Sequence, residues 1–96
     1  MQIIIEFYGI VRRRTETAQT AIAFAEDDVS LSTVFEQLVE RYPALEPDCI
    51  QTMPGGDFRL EKHLIANVDG RRFTRDSTER LHDGQHLLLL SADVGG

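Results

Sequence analysis

The chain has one cysteine, one lysine, and a shortage of basic residues against acidic ones. Each scarcity removes a class of function. Cys49 alone makes no internal disulfide, and no Cys/His spacing matches a zinc site. With no candidate base beside it in sequence, Cys49 reads as an incidental thiol rather than a nucleophile. His63, His82 and His86 supply no ligand set either. His82 and His86 stand four apart, but Asp83 and Gly84 between them read as a turn, so helical ligand spacing is not available. Metal ligands are therefore not expected. No apolar run reaches the ~18 residues of a membrane span, and the N-terminus lacks the charged lead and cleavage site of a signal peptide. The expectation is a cytoplasmic protein with no membrane contact. With 16 acidic and 10 basic residues the formal charge is −6, which argues against nucleic acid, whose phosphates must be neutralised by Lys and Arg. The run Arg12, Arg13 and Arg14 is the local exception. It reads as solvated charge at a turn tip, with a partner site as the alternative.

The chain's 96 residues make a single domain, with little room for both a core and a deep pocket. No self-contained active site is expected. Residues 2–11 are rich in β-branched and aromatic side chains, with Ile3, Ile5 and Phe7 on one face, and predict a strand. Residues 17–25 alternate again and predict an antiparallel hairpin with it. Thr33 with Glu36 fits a capping box, and Val34, Leu38 and Tyr42 then make one apolar helix stripe. Pro43 ends that helix. Residues 43–62 read as a long irregular stretch whose Gly55 and Gly56 lack the Lys-Ser/Thr of a phosphate-binding loop.

Residues 64–68 predict a strand, and Asp69 with Gly70 a hairpin turn returning through residues 71–73. Leu81 reads as a core anchor. The run Leu87, Leu88, Leu89 and Leu90 predicts a last strand buried on both faces. The order β-β-α-β-β-β gives an α+β fold, one main helix on one face of a mixed sheet. If the first and last strands lie side by side at its centre, the C-terminus leaves from a rigid base. Residues 1–91 form the domain and residues 92–96 an extended flexible tail.

That tail closes on Gly95 and Gly96. Glycine has no Cβ, so these residues can lie in a channel too narrow for any other side chain and leave the terminal carboxylate open. Two readings stand beside each other: a frayed end, or a C-terminus that is itself the reactive group. A terminal carboxylate, with an ordinary pKa of about 3.5, is ionised at neutral pH and attacks an electrophile without a base of its own.

The strand at Ile3 to Tyr8, the helix signature of Thr33, Val34 and Leu38, and the run Arg41, Tyr42, Pro43, Ala44 and Leu45 form a pattern. It continues through Leu64 to Gly70, then Leu81, His82, Asp83, Gly84 and Gln85, and closes on Gly95 and Gly96. Together these pieces resemble the ubiquitin-like β-grasp sulfur carriers, over nearly the whole chain and in the right order. The helix followed by Tyr42 and Pro43 looks more like the small subunit of molybdopterin synthase than the shorter thiamine-pathway carrier. Asp69 stands where the family has asparagine, and Ser91 to Val94 where that subunit has a proline-containing tail.

The resemblance implies that a ubiquitin-activating-like adenylyltransferase uses ATP and magnesium to adenylate Gly96. A sulfur-donor persulfide enzyme then turns it into a thiocarboxylate. The large subunit of molybdopterin synthase, or another sulfur acceptor enzyme, receives the sulfur. No cofactor is bound by the carrier itself. Gly95, Val94 and Asp93 would line the tail's passage, Val94 in an apolar niche and Asp93 at a basic rim. Thiamine, cysteine or tRNA thiolation stays open, as does protein modification through Gly96. With Lys62 the only lysine, chains of varied linkage are not expected.

Overall fold

The alternation of Ile3, Ile5 and Phe7 with polar or smaller partners does what a period of two dictates. In the computed structural model, which describes residues 1–92, these three side chains are fully buried on one face of β1 (Gln2–Phe7). The strand stops short of the predicted Val11. Gly9 has φ +55°, a left-handed conformation that turns the chain, and α1 (Gly9–Thr15) follows with Val11 and Thr15 buried. The arginine run thus rides a short helix, not a turn tip. All three arginines fall in its last turn, where positive charge complements the unpaired carbonyls of a helix C-terminus. Arg14 also pairs with Asp48 at 2.6 Å.

β2 (Gln19–Ala23) returns antiparallel to β1, as the predicted hairpin requires. A short β3 (Asp28–Ser30) leads into α2 (Leu31–Arg41). The actual cap lies three residues before the predicted one. Ser30 is the N-cap, its hydroxyl accepting the Thr33 N–H at 3.2 Å, so Thr33 occupies the third helical position. Leu31, Val34, Phe35 and Leu38 are the buried stripe, spaced at i, i+3, i+4 and i+7. α2 ends at Arg41, ahead of Pro43, as the proline demands.

The stretch 43–62 is more ordered than its composition predicts. A 3-10 turn (Pro43–Leu45) buries Leu45, and β4 (Ile50–Thr52) pairs antiparallel with β5 (Phe58–Leu60). The strands are three residues each, too short for alternation to register. β6 (Leu64–Val68) and β7 (Arg72–Thr74) form the hairpin predicted around Asp69 and Gly70. Both turn residues have positive φ, 58° and 71°, and the Arg71 N–H closes on the Val68 carbonyl at 3.0 Å. That is the primed turn whose twist suits a hairpin. β8 (Arg80–His82) pairs with β3 and buries Leu81 completely, and β9 (His86–Ser91) completes the chain of elements.

The main sheet has the order β2-β1-β9-β6-β7. β9 lies at its centre, parallel to β1 and antiparallel to β6, so the first and last strands are neighbours. α2 adds its stripe to the core formed by Ile3, Ile5, Phe7, Leu87 and Leu89 on the sheet's inner face. This is the expected α+β arrangement, one main helix on a mixed sheet, with α1 and two small two-stranded sheets added. The tetraleucine run is buried on one face only. Leu87 and Leu89 are fully enclosed, whereas Leu88 and Leu90 are half-buried on the outer face, because no element among the described residues covers that side.

Candidate functional site

Whatever leaves the end of β9 is held by the centre of the sheet. β9 is hydrogen-bonded on both sides, to β1 and to β6, and its last described bond is the Ala92 N–H to the His63 carbonyl at 2.8 Å. Its beginning is tied as firmly. The Asp69 carboxylate accepts the His86 N–H at 2.8 Å and the Gln85 side-chain amide at 3.1 Å. The first of these bonds, then the second, holds Asp69 below the usual carboxylate range. The Gly84 N–H donates to the Gln2 carbonyl and the Gln2 N–H to Asp83 Oδ1, at 2.8 and 2.7 Å. The turn predicted at Asp83 and Gly84 thereby locks the entry to β9 against β1.

The outer face of the sheet is the surface next to this strand. Half-buried Ile4, Ile65, Leu88 and Leu90 lie on it, with Tyr8 and Phe73 standing 42% and 57% exposed. Asn67 is opposite Leu88 and Phe73 in register. It is buried, with Oδ1 lacking a hydrogen-bond partner among the described residues. Unpaired buried oxygens are uncommon, and a donor brought by a docking partner would satisfy this one. A polar cluster sits within this face, with Glu6 opposite Leu88 and His86 opposite Ile4: His86 Nδ1 lies 3.0 Å from Glu6 Oε2, and the Tyr8 hydroxyl donates to Glu6 Oε1 at 2.8 Å. The His86 contact first, then Tyr8, holds Glu6 below its ordinary value, and the same Glu6 bond pushes the Tyr8 hydroxyl up.

The remaining titratable candidates stay apart. Cys49 is enclosed in the core and burial pushes its thiol up, which keeps it protonated and unreactive. His63 pairs with Glu61, far in the chain from His86. Among the described residues no group of three or more His, Cys, Asp or Glu side chains is placed to hold a metal, and no helix is long and apolar enough to cross a membrane. The predicted site residues Asp93, Val94, Gly95 and Gly96 lie outside the described residues. The outer face was not read from the sequence, since the half-exposed leucines of β9 were assigned to a core.

Strand order, central parallel pair and single main helix decide the fold. It is a β-grasp. The likeness to solved structures of this fold is close in shape and distant in sequence. Small archaeal modifier protein 1 of Haloferax volcanii superposes with a TM-score of 0.78 at 18% identity, covering 100% of both chains. The same-named protein of Methanosarcina acetivorans gives 0.73 at 16%, over 99% of this chain and 96% of that one. A protein proposed as molybdopterin converting factor subunit 1 of Pyrococcus furiosus gives 0.71 at 13%, over 94% of this chain and 95% of that one. No family model matches the chain, and no curated protein matches it in sequence. The β-grasp here is thus established from backbone geometry.

Proposed function

We propose that this β-grasp protein is a sulfur carrier whose C-terminal Gly96 is activated by a partner enzyme. The observation that carries the reading is the central, doubly paired β9, which hands the chain to residues 93–96 at the Ala92 to His63 bond. Four extended residues reach roughly 13–14 Å, enough to enter a partner's active site while the folded body docks outside. The apolar outer face around Leu88 and Phe73 is the docking surface on this reading, and the polar cluster of Glu6 and His86 within it sets orientation. A net charge of −6 steers the body toward a basic partner, raising the association rate more than the affinity.

In the proposed chemistry the Gly96 carboxylate oxygen attacks the α-phosphorus of ATP, and pyrophosphate leaves. The outer sulfur of a partner persulfide displaces AMP from the acyl adenylate. A second thiol then takes the inner sulfur of the acyl disulfide, releasing a thiocarboxylate. Every acid, base and metal ion in this sequence belongs to the partners, in keeping with a carrier that presents a terminus. The favoured acceptor is the molybdopterin synthase reaction, with this chain as small subunit. The likeness to the P. furiosus subunit supports it. The likeness to two proteins named as modifiers supports a second reading, in which activated Gly96 is joined to target lysines.

Incubation with a cognate activating enzyme, ATP, magnesium and a persulfide donor tests the proposal by intact mass. The expected product has one oxygen replaced by sulfur. Absence of both adenylate and mass gain across several activating enzymes rejects the carrier reading, and an isopeptide from Gly96 to a lysine selects the modifier instead.

A further inference from the structure

The chain is net negative, yet one recess on its surface is lined by cations. The recess, about 270 Å³ in volume, has apolar walls of Leu31, Phe35, Met53 and Leu60 and carries Arg59, Lys62 and Arg75. Leu31 and Phe35 are buried residues of α2 and Leu60 belongs to β5, so its floor is part of the packed body. Lys62 sits in the turn between β5 and β6, and Arg75 follows the last residue of β7. None of the outer-face residues lines it.

The charge in the recess is only partly compensated. Arg59 is paired, its Nε donating to Asp57 Oδ2 at 2.8 Å. The Lys62 ammonium has no hydrogen bond or ion pair among the described residues. Arg75 Nη2 donates to the uncharged Lys62 carbonyl at 3.0 Å. That bond anchors the guanidinium beside Lys62 and occupies one of its five N–H donors. The nearest acid in sequence, Glu61, is engaged elsewhere. Its carboxylate accepts the His63 backbone N–H at 2.8 Å and meets the His63 ring Nδ1 at 2.9 Å.

Two adjacent cations without a counter-charge suit one anion. A guanidinium fork grips a carboxylate through paired N–H donors, and an ammonium adds a point charge. The walls require an aliphatic group on the same molecule, and the volume sets its length. At about 30 Å³ for each water-sized atom, roughly nine heavy atoms fill the space. That lies below the roughly 300–1,000 Å³ of cofactor and drug-sized pockets. We propose that this recess is a binding site for a short aliphatic carboxylate of about six or seven carbons. Its carboxylate lies on Lys62 and Arg75, and its chain runs along Leu31, Phe35, Met53 and Leu60. The site is independent of the carrier reading.

Titration of the full chain with hexanoate, followed by methyl NMR at Leu31, Met53 and Leu60, tests the site. Saturable shifts at all three are expected, with half-saturation near the ~1 mM open to eight heavy atoms. Hexanamide and hexylammonium at matched ionic strength should bind at least about fivefold more weakly, the worth of one exposed ion pair. Acetate has the charge without the chain and should leave the methyls unmoved. Lys62→Glu and Arg75→Glu should each weaken hexanoate by about fivefold or more, whereas Lys62→Arg should retain it. Both side chains are exposed, so the melting temperature should not change. If a reversal disturbs the fold, the ligand series on the unaltered chain still decides. Shifts that do not saturate overturn the site, as does equal binding of hexanamide or an affinity that survives both reversals. The capped dipeptide acetyl-Glu-Leu-amide is the last arm. Binding at least about tenfold tighter than hexanoate would assign the recess to a segment of another protein, and the small-acid site would fall.

Discussion

The two faces of β9 should answer differently to the same truncation. Leu89 is fully enclosed between the sheet and the helical layer, whereas Leu88 is half-buried on the uncovered face. Leu→Ala in a closed core costs about 2–5 kcal/mol, because lost transfer energy is joined by the cavity left behind. A site with no solvent contact and rigid strands on both sides collapses poorly, which places Leu89→Ala at about 3–4 kcal/mol. A domain of this size holds roughly 5–14 kcal/mol in total, at about 0.05–0.15 kcal/mol per residue. The melting temperature should therefore fall by about 12–30 °C, at about 4–8 °C per kcal/mol.

Leu88→Ala leaves no enclosed cavity and forfeits only part of a side chain's burial, about 1 kcal/mol. Its melting temperature should drop by less than ~8 °C. Its larger effect should be on capture by the activating enzyme, read as a rise in KM with kcat unchanged. Thermal unfolding followed by circular dichroism separates the two variants directly. Equal losses for Leu88→Ala and Leu89→Ala would show that the outer face is covered, and would refute its assignment as the docking surface.

Three further outcomes are expected. Deleting Gly95 and Gly96 should abolish sulfur transfer with the melting temperature unchanged, since a chain end contributes little to folding; a fall of many degrees would make the tail structural. Ser30→Ala removes the hydroxyl that accepts the Thr33 N–H and should cost about 1 kcal/mol, whereas Thr33→Ala, the cap predicted from sequence, should cost less. Glu6 and Asp69 are held below their ordinary values of 4.5 and 3.8, so each contributes stability above those values that is lost as pH falls through its lower folded value. Unfolding midpoints should decline below about pH 4.5, and Glu6→Gln with Asp69→Asn should flatten that decline; an unchanged slope would remove these bonds from the acid response.

The fold was legible wherever a long pattern met a strong local signal. Ile3, Ile5 and Phe7 fix a face of β1 by period two, Asp69 and Gly70 specify a turn by their positive φ, and Pro43 marks the end of α2. Short elements were not legible. Ile50–Thr52 and Phe58–Leu60 are each three residues, and only their pairing with one another makes them strands. Gly9 and the arginines after it allow either a turn or a helix; burial of Val11 and Thr15 decides for the helix. Ser30 and Thr33 both have capping chemistry, and the apolar position of Leu31 in the core selects the earlier one. The tetraleucine run misled because composition counts apolar residues without saying which face is covered.

Placing β9 at the centre of the sheet has a mechanical consequence for a protein proposed to present its end. An edge strand frays one ladder at a time, because water replaces its hydrogen bonds on one side. β9 breaks free only if the ladders to β1 and β6 open together and Leu87 and Leu89 leave the core, which approaches global unfolding. Openings of that size belong to the most protected class of amides. The Ala92 amide, bonded to His63 beyond the last strand residue, marks where that protection should end. Hydrogen exchange should be slow through Leu89 and fast at Ala92, with the boundary falling within a few residues. A gradual gradient along the whole of β9 would mean that the strand peels from its C-terminal end, and the body would then be a poor anchor for any tail it carries.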